Sequence, residues 1–260
     1  RDSSMIPQTP PRLLAALAVL ATVLVTTAAR ATIVNSLRGF DRDEPGWSGS
    51  IAGAYGASGG NTDQSTFEGS GRVQWRTGAN TLKLIASGKR TTSKGEETAR
   101  SVLTHLRHNY DLSERWATLT FLQAQRNPFQ RLDSRTLFGL GARWDAIHGD
   151  ELIWSVGAAH MLEKEKIQDE EGGRQTTRMS AFTSLEAELS DGVVLDALVF
   201  YQPRWSDFSD WRIFGMIQLD VELNHTLTLF TNYLIQHNDR PPEGVEQTDW
   251  TTKTGFRADF

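Results

Sequence analysis

The segment 250–260 sorts its side chains into two rows. Trp250, Thr252, Thr254, Phe256, Ala258 and Phe260 alternate with Thr251, Lys253, Gly255, Arg257 and Asp259. One row carries no charge; the other carries all three. Successive residues of a strand point to opposite faces, so this segment has one neutral face and one charged face. A strand reads this way when one side meets lipid and the other a wet interior. A chain that repeats the pattern has a bilayer as its solvent.

The 260 residues are 38% hydrophobic and 23% charged, which excludes a bundle of apolar transmembrane helices. One apolar stretch, 13–29, follows Arg12 and precedes Ala29-Arg30-Ala31. A basic start, an apolar run and a small-x-small site predict a cleaved signal peptide over 1–31. Residues 32–46 are then a short periplasmic segment, and 47–260 form the single remaining domain. Loss of Arg1, Arg12, Arg30 and Asp2 moves the net charge from −5 to −7. Such a chain is not basic enough to take nucleic acid as its partner. It has no cysteine, so disulfides cannot staple an exported fold, and closed strand pairing must do that work.

Period-two alternation predicts about twelve strands of barrel length, near 47–58, 65–77, 81–90, 99–111, 115–125, 133–145, 151–162, 176–189, 193–202, 210–222, 226–237 and 248–260. Short Gly, Asn, Asp and Ser turns follow the even strands, as at Gly78-Ala79-Asn80 and Asp191-Gly192. Longer polar connections follow odd strands, at 91–98, 127–132, 163–175 and 238–247. That asymmetry matches the periplasmic and extracellular ends of an antiparallel up-and-down transmembrane barrel. The cleaner row reads as free of Asp, Glu, Lys and Arg on every candidate strand. It holds Phe138 on strand six, Leu185 on strand eight and Ile217 on strand ten.

Aromatics gather at strand ends. Trp47, Trp75, Tyr110, Trp116 and Trp144 lie beside the short turns; Tyr201, Trp211 and Trp250 lie at the long-loop end. Two such bands are the girdles that mark the headgroup levels of a membrane barrel. The opposite row supplies the lumen candidates: Glu68, Arg72, Arg76, Arg107, Arg135, Arg143, Glu186, Asp196, Arg212, Asp220 and Arg257. Bases predominate on strands two to six and acids enter on strands eight to ten, which predicts a transverse field across a narrow bore. Phe182, Phe200, Phe214, Met216 and Leu234 share that row and predict packing on one wall. Open and plugged lumens both fit a barrel of this size.

Gly59-Gly60-Asn61-Thr62-Asp63 leading into Phe67-Glu68-Gly69, and Gly139-Leu140-Gly141-Ala142-Arg143-Trp144, resemble the salt-induced outer membrane proteins. This bacterial outer-membrane β-barrel domain family is of unknown function, and the resemblance spans 47–260. It implies an outer-membrane location among lipids and lipopolysaccharide. Phe256 and Phe260 resemble the terminal signal read by the barrel assembly machinery. The resemblance supplies no catalytic residue, metal ligand or cofactor. His105 and His108, three apart on a strand, face opposite sides and share no metal, and no Ser–His spacing stands out, so the sequence points away from an enzyme. The leading reading is a narrow solute or ion pore, or an envelope component of osmotic or salt stress. A closed structural or receptor-like barrel without conductance is the alternative, and an outer-membrane hydrolase ranks below both.

Overall fold

The computed structural model describes residues 45–59 and 63–260. The leader expected over 1–31, nearly all of the segment 32–46, and Gly60-Asn61-Thr62 lie outside the described residues. Twelve strands follow: β1 (Gly46–Ser58), β2 (Gln64–Thr77), β3 (Asn80–Ser93), β4 (Glu96–Asp111), β5 (Trp116–Asn127), β6 (Leu132–His148), β7 (Leu152–Ile167), β8 (Arg174–Ser190), β9 (Val193–Tyr201), β10 (Arg212–Asn224), β11 (Leu227–Asn238) and β12 (Thr248–Asp259). Each pairs antiparallel with its neighbours in the chain, and β1 meets β12 to close one barrel. Closure satisfies backbone groups that water cannot reach inside a bilayer.

The two rows separate as the alternation predicts. Phe138, Leu140, Ile217 and Leu84 stand exposed on the outside of the barrel, while Arg135, Arg107 and Asp220 are buried within it. A water-soluble barrel would invert that order. An apolar exterior around a charged interior is the surface of a protein dissolved in lipid.

Three local expectations change. The connection expected over 91–98 is a two-residue hairpin, because β3 runs on through its threonines and Lys94 and Gly95 take the positive φ values, 51° and 83°, that close a tight turn. The polar stretch 163–175 is mostly strand. Glu163 and Glu165 continue the inward row of β7, and Lys164 and Lys166 its outward row. The outer face is also not free of charge at its long-loop end. Arg90, Arg100, Arg126, Lys164 and Lys166 all point outward there. Long cationic side chains at the rim reach the headgroups, so they avoid the cost they would meet at mid-membrane.

The aromatics pair across strands at both ends. Trp47 and Trp75, and Trp116 and Trp144, are register partners with ring centroids 6.2 Å apart. At the other end Tyr201 lies 6.2 Å from Trp211, and Tyr233 lies 6.1 Å from Trp250. Tyr110 is exposed at the short-turn end of β4. Trp205 joins the long-loop side from the 202–211 connection, 6.0 Å from the outward His160. That connection folds back onto β8, where Met179 and Trp205 donate backbone N–H bonds to Pro203 and Thr177. It thereby covers the part of β8 that outreaches β9.

The closing seam is short. Ser50 through Gly53 pair with Asp259 through Phe256, and Gly49 exchanges backbone bonds of 2.7 and 2.9 Å with Phe260. Beyond Gly53 the ladder between β1 and β12 stops.

Candidate functional site in the barrel lumen

The lumen is filled on one side and hollow on the other. The filled side belongs to β4–β10. Phe121, Phe182, Phe200 and Phe214 project inward with Leu137, Met161, Leu198 and Met216, and all are buried. Phe182, Phe200 and Phe214 follow one another at 5.4 and 6.3 Å. His105 stacks on Phe121 at 5.6 Å, and the Arg107 guanidinium sits 5.9 Å from the Phe182 ring centre. Glycines at the partner positions on neighbouring strands make room for these rings. A Cβ on Gly139 would come within 2.2 Å of Phe121, and one on Gly157 within 2.4 Å of Phe182. The packed wall expected from the inward aromatics is therefore present, and it fills one side of the bore rather than merely lining it.

Above this wall lies an ion-pair cluster centred on Glu163. Its carboxylate receives Arg135, Arg178 at 2.9 Å and Arg212 at 2.5 Å. Glu165 adds contacts to Arg135 at 3.2 Å and Arg212 at 3.1 Å. Arg178 continues to Asp210 at 2.7 Å and donates to the carbonyls of Gln202 and Asp210. Four strands and the 202–211 connection are thus tied together at one carboxylate.

Two further arginines latch the loops. Arg131 reaches the carbonyls of Gln168 and Glu243, joining three connections. Arg240 bonds Asp207 at 2.9 Å and Ser209 at 2.8 Å. The Ser209 hydroxyl and backbone N–H hold the Asp207 carboxyl below its usual range, with Arg240 adding to them.

The hollow side belongs to β1–β4, the long-loop end of β5, and β10–β12. A cavity of about 200 Å³ is lined by Arg72, Ile85, Gln125, Phe230, Asn232 and Lys253, among others. A second, of about 350 Å³, lies among the loops and is lined by Arg135, Arg178, Arg212, Arg240 and Asn238. Gln125, Gln236 and Asp249 line both, so the two spaces meet there. Gln125 Nε2 and Asn232 Oδ1 are buried without a protein hydrogen-bond partner. Buried polar atoms of that kind seek water or an ion. Below, Arg257 binds Asp220 and, at 2.8 Å, Asp259; Gln218 and Asn232 extend the chain of bonds across the floor.

The remaining lumen candidates are dispersed. Glu68 pairs with Lys253, Arg76 with Asp111 at 3.2 Å, and Arg143 with Asp145 at 3.0 Å. Glu186 and Asp196 are register partners on β8 and β9, facing Lys83 and Arg107, partners on β3 and β4, across the barrel. Local pairing changes the expected transverse field: Asp111 on β4 and Asp145 on β6 place acids on the wall read as basic, and Glu163 and Glu165 add two more beside it on β7. Sequence reasoning missed Glu163, Glu165, Arg178 and Asp210 as site residues. The signal for the first two was legible, because Glu163 and Glu165 keep the inward phase of Ala159 and Met161. Among the described residues no group of three or more His, Asp or Glu side chains is arranged to hold a metal ion. His105 bonds Gln123, and His108, facing the other way, bonds Asn80.

A closed barrel with an apolar exterior and a half-filled polar lumen defines a transmembrane β-barrel protein. Within that class, this chain belongs to the family described as "Protein of unknown function, DUF481", whose model matches residues 52–260. That description carries no salt-induced role. No curated protein matches the chain. Solved structures similar to it include the NanC porin (12% identity, 82% of this chain and 97% of that one, TM-score 0.48). The KdgM porin is similar at 7% identity, covering 82% and 99%, with a TM-score of 0.47. The translocator domain of the autotransporter NalP from Neisseria meningitidis is similar at 16% identity, covering 84% and 88%, with a TM-score of 0.45. These likenesses are too loose to bear on what this chain carries.

Proposed function

We propose that this protein is an exported bacterial outer-membrane barrel and a narrow pore for ions or small charged solutes, not an enzyme. The observation that carries the reading is the pair of spaces, edged by charged and amide side chains, that meet at Gln125, Gln236 and Asp249, with unpartnered amide atoms along the wall. A solute enters among the loop arginines, passes the aromatic wall on its hollow side, and reaches the Arg257–Asp220 pair on the floor. Opposite charges fixed at a constriction select among ions and order the water between them. Arg257→Gln opens the floor pair, so planar-bilayer recordings should show conductance rising about two-fold or more and anion preference falling. A silent wild type, a silent variant and retained heat-modifiable gel mobility would instead establish a closed, structural or receptor-like barrel. The rings of Phe121 and Phe182, which fill one side of the bore, favour that second reading.

The salt-responsive role implied by the resemblance belongs to this proposal. Arg240 and Asp207 are both more than a third exposed, so added salt screens their attraction and loosens the loop latch. The same recordings across salt concentrations then show conductance climbing faster than bulk conductivity.

Two partners complete the proposal. Phe256 and Phe260 stand outward on and just beyond β12, where an assembly factor reads them. The outward Arg90, Arg100, Arg126, Lys164 and Lys166 form a band over β3–β7 that suits the phosphates of lipopolysaccharide. Arg126→Glu with Lys166→Glu should lower the lipopolysaccharide that co-purifies by about five-fold, measured as bound phosphate. Unchanged retention rejects that partner.

A further inference from the structure

β1 and β12 cease to pair beyond Gly53 and Phe256, yet β1 continues to Ser58 and β12 begins back at Thr248. Inside a bilayer an open strand edge is tolerated only where it borders a cavity. The cavity is present: Ala52 of β1 and Trp250, Thr251 and Lys253 of β12 line the 200 Å³ space. Apart from the outward Tyr55 and the inward Lys253, the side chains along both edges are small: Ala54, Gly56, Ala57 and Ser58 on β1, and Thr251, Thr252, Thr254 and Gly255 on β12. On the lumen side Lys253 reaches past β1 to Glu68 on β2 and spans the gap with one ion pair.

The space behind the gap is amphipathic. Phe214, Met216, Phe230 and Leu234 form its apolar wall. Arg72, Lys89, Lys253 and Arg257 outnumber the carboxylates Glu68 and Asp249. Gln125, over nine-tenths buried, presents Nε2 with no protein acceptor. A donor amide among cations, with an apolar wall and a lipid-facing gap beside it, matches a carboxylate head on a hydrocarbon tail.

We propose that the β1–β12 seam is a lateral portal admitting a single-chain anionic amphiphile, a long-chain carboxylate, from the membrane into the lumen cavity. The head meets Lys253 and Gln125 Nε2, and the tail lies against Phe214 and Phe230. This goes beyond conduction and does not depend on it, since a closed barrel has the same seam.

The natural absence of cysteine permits a clean test. Continuing the register from Gly53 and Phe256 sets Ala57 opposite Thr252 on the outward row. Ala57→Cys with Thr252→Cys staples the seam on oxidation. The probe is a diazirine-bearing dodecanoate added to full-length protein in liposomes, with labelled peptides mapped by mass spectrometry. Labelling of the Phe230–Leu234 segment should fall about five-fold on oxidation and return on reduction, while labelling at the outward Ile217 stays constant. Lumen labelling that ignores the staple, or labelling confined to the outer belt, overturns the proposal. Where the two thiols do not meet, Ala57→Cys blocked with a bulky maleimide must give the same fall. Lys253→Met should weaken labelling by the carboxylate and spare the matching alcohol; equal loss of both rejects the head-group assignment. Conductance of the same samples is read separately, so failure of the pore and failure of the portal stay distinct.

Discussion

Glu163→Ala should destabilise the barrel by about 3 kcal/mol, measured by urea unfolding of liposome-embedded protein and followed by gel mobility. Glu163 is the shared acceptor for Arg135, Arg178 and Arg212, and all four side chains are largely buried. Removing the carboxylate leaves three guanidinium groups close together with only Glu165 and Asp210 to neutralise them. Breaking a buried pair from one side costs about 3–5 kcal/mol, because the remaining charge keeps its desolvation penalty. The two surviving acids place this case at the lower end. Glu163→Gln keeps an acceptor oxygen and should lose less. The 202–211 connection, held by Arg178 through Asp210, becomes more sensitive to protease in both variants. A change below about 0.5 kcal/mol for Glu163→Ala would mean that lumen water screens the cluster as it screens a surface pair.

Gly139→Val should block folding, and Phe121→Ala in the same chain should restore it. A Cβ at position 139 meets three atoms of the Phe121 ring between 2.2 and 2.8 Å. That ring stacks on His105 and packs against the inward face of β6, so to retreat it must push into those neighbours. Overpacking of this kind costs about 1–3 kcal/mol where neighbours can shift, and more where they cannot. Truncating Phe121 removes the clash and leaves a hole of its own, so the double variant folds with reduced stability. It also opens the filled side of the lumen. Conductance above that of wild type would then locate the plug at this ring. If Gly139→Val assembles normally in the Phe121 background, the bore is wider than the packing shown here.

The strand pattern reached the fold because lipid punishes charge and interior water does not. Two solvents, one on each face, print a period of two along every strand, and Trp and Tyr mark where the solvents change. The same code hid Glu163 and Glu165. Glu-Lys-Glu-Lys reads as a solvated loop when each charge is judged by its own polarity. It reads as strand only when the inward acids are known to meet Arg135 from β6, Arg178 from β8 and Arg212 from β10. Lys94-Gly95 was obscured in a similar way, since threonines and charged residues around it are common to loops and to strand ends alike.

Which side chains share a face was fixed by alternation along the chain, since free energies of transfer belong to residues one at a time. Which lumen charges meet, where aromatic rings fill one side of the bore, and how far the β1–β12 seam zips up depend on strand stagger around a closed circle. Those distances join residues as remote as Glu68 and Lys253, so only the assembled barrel decided them.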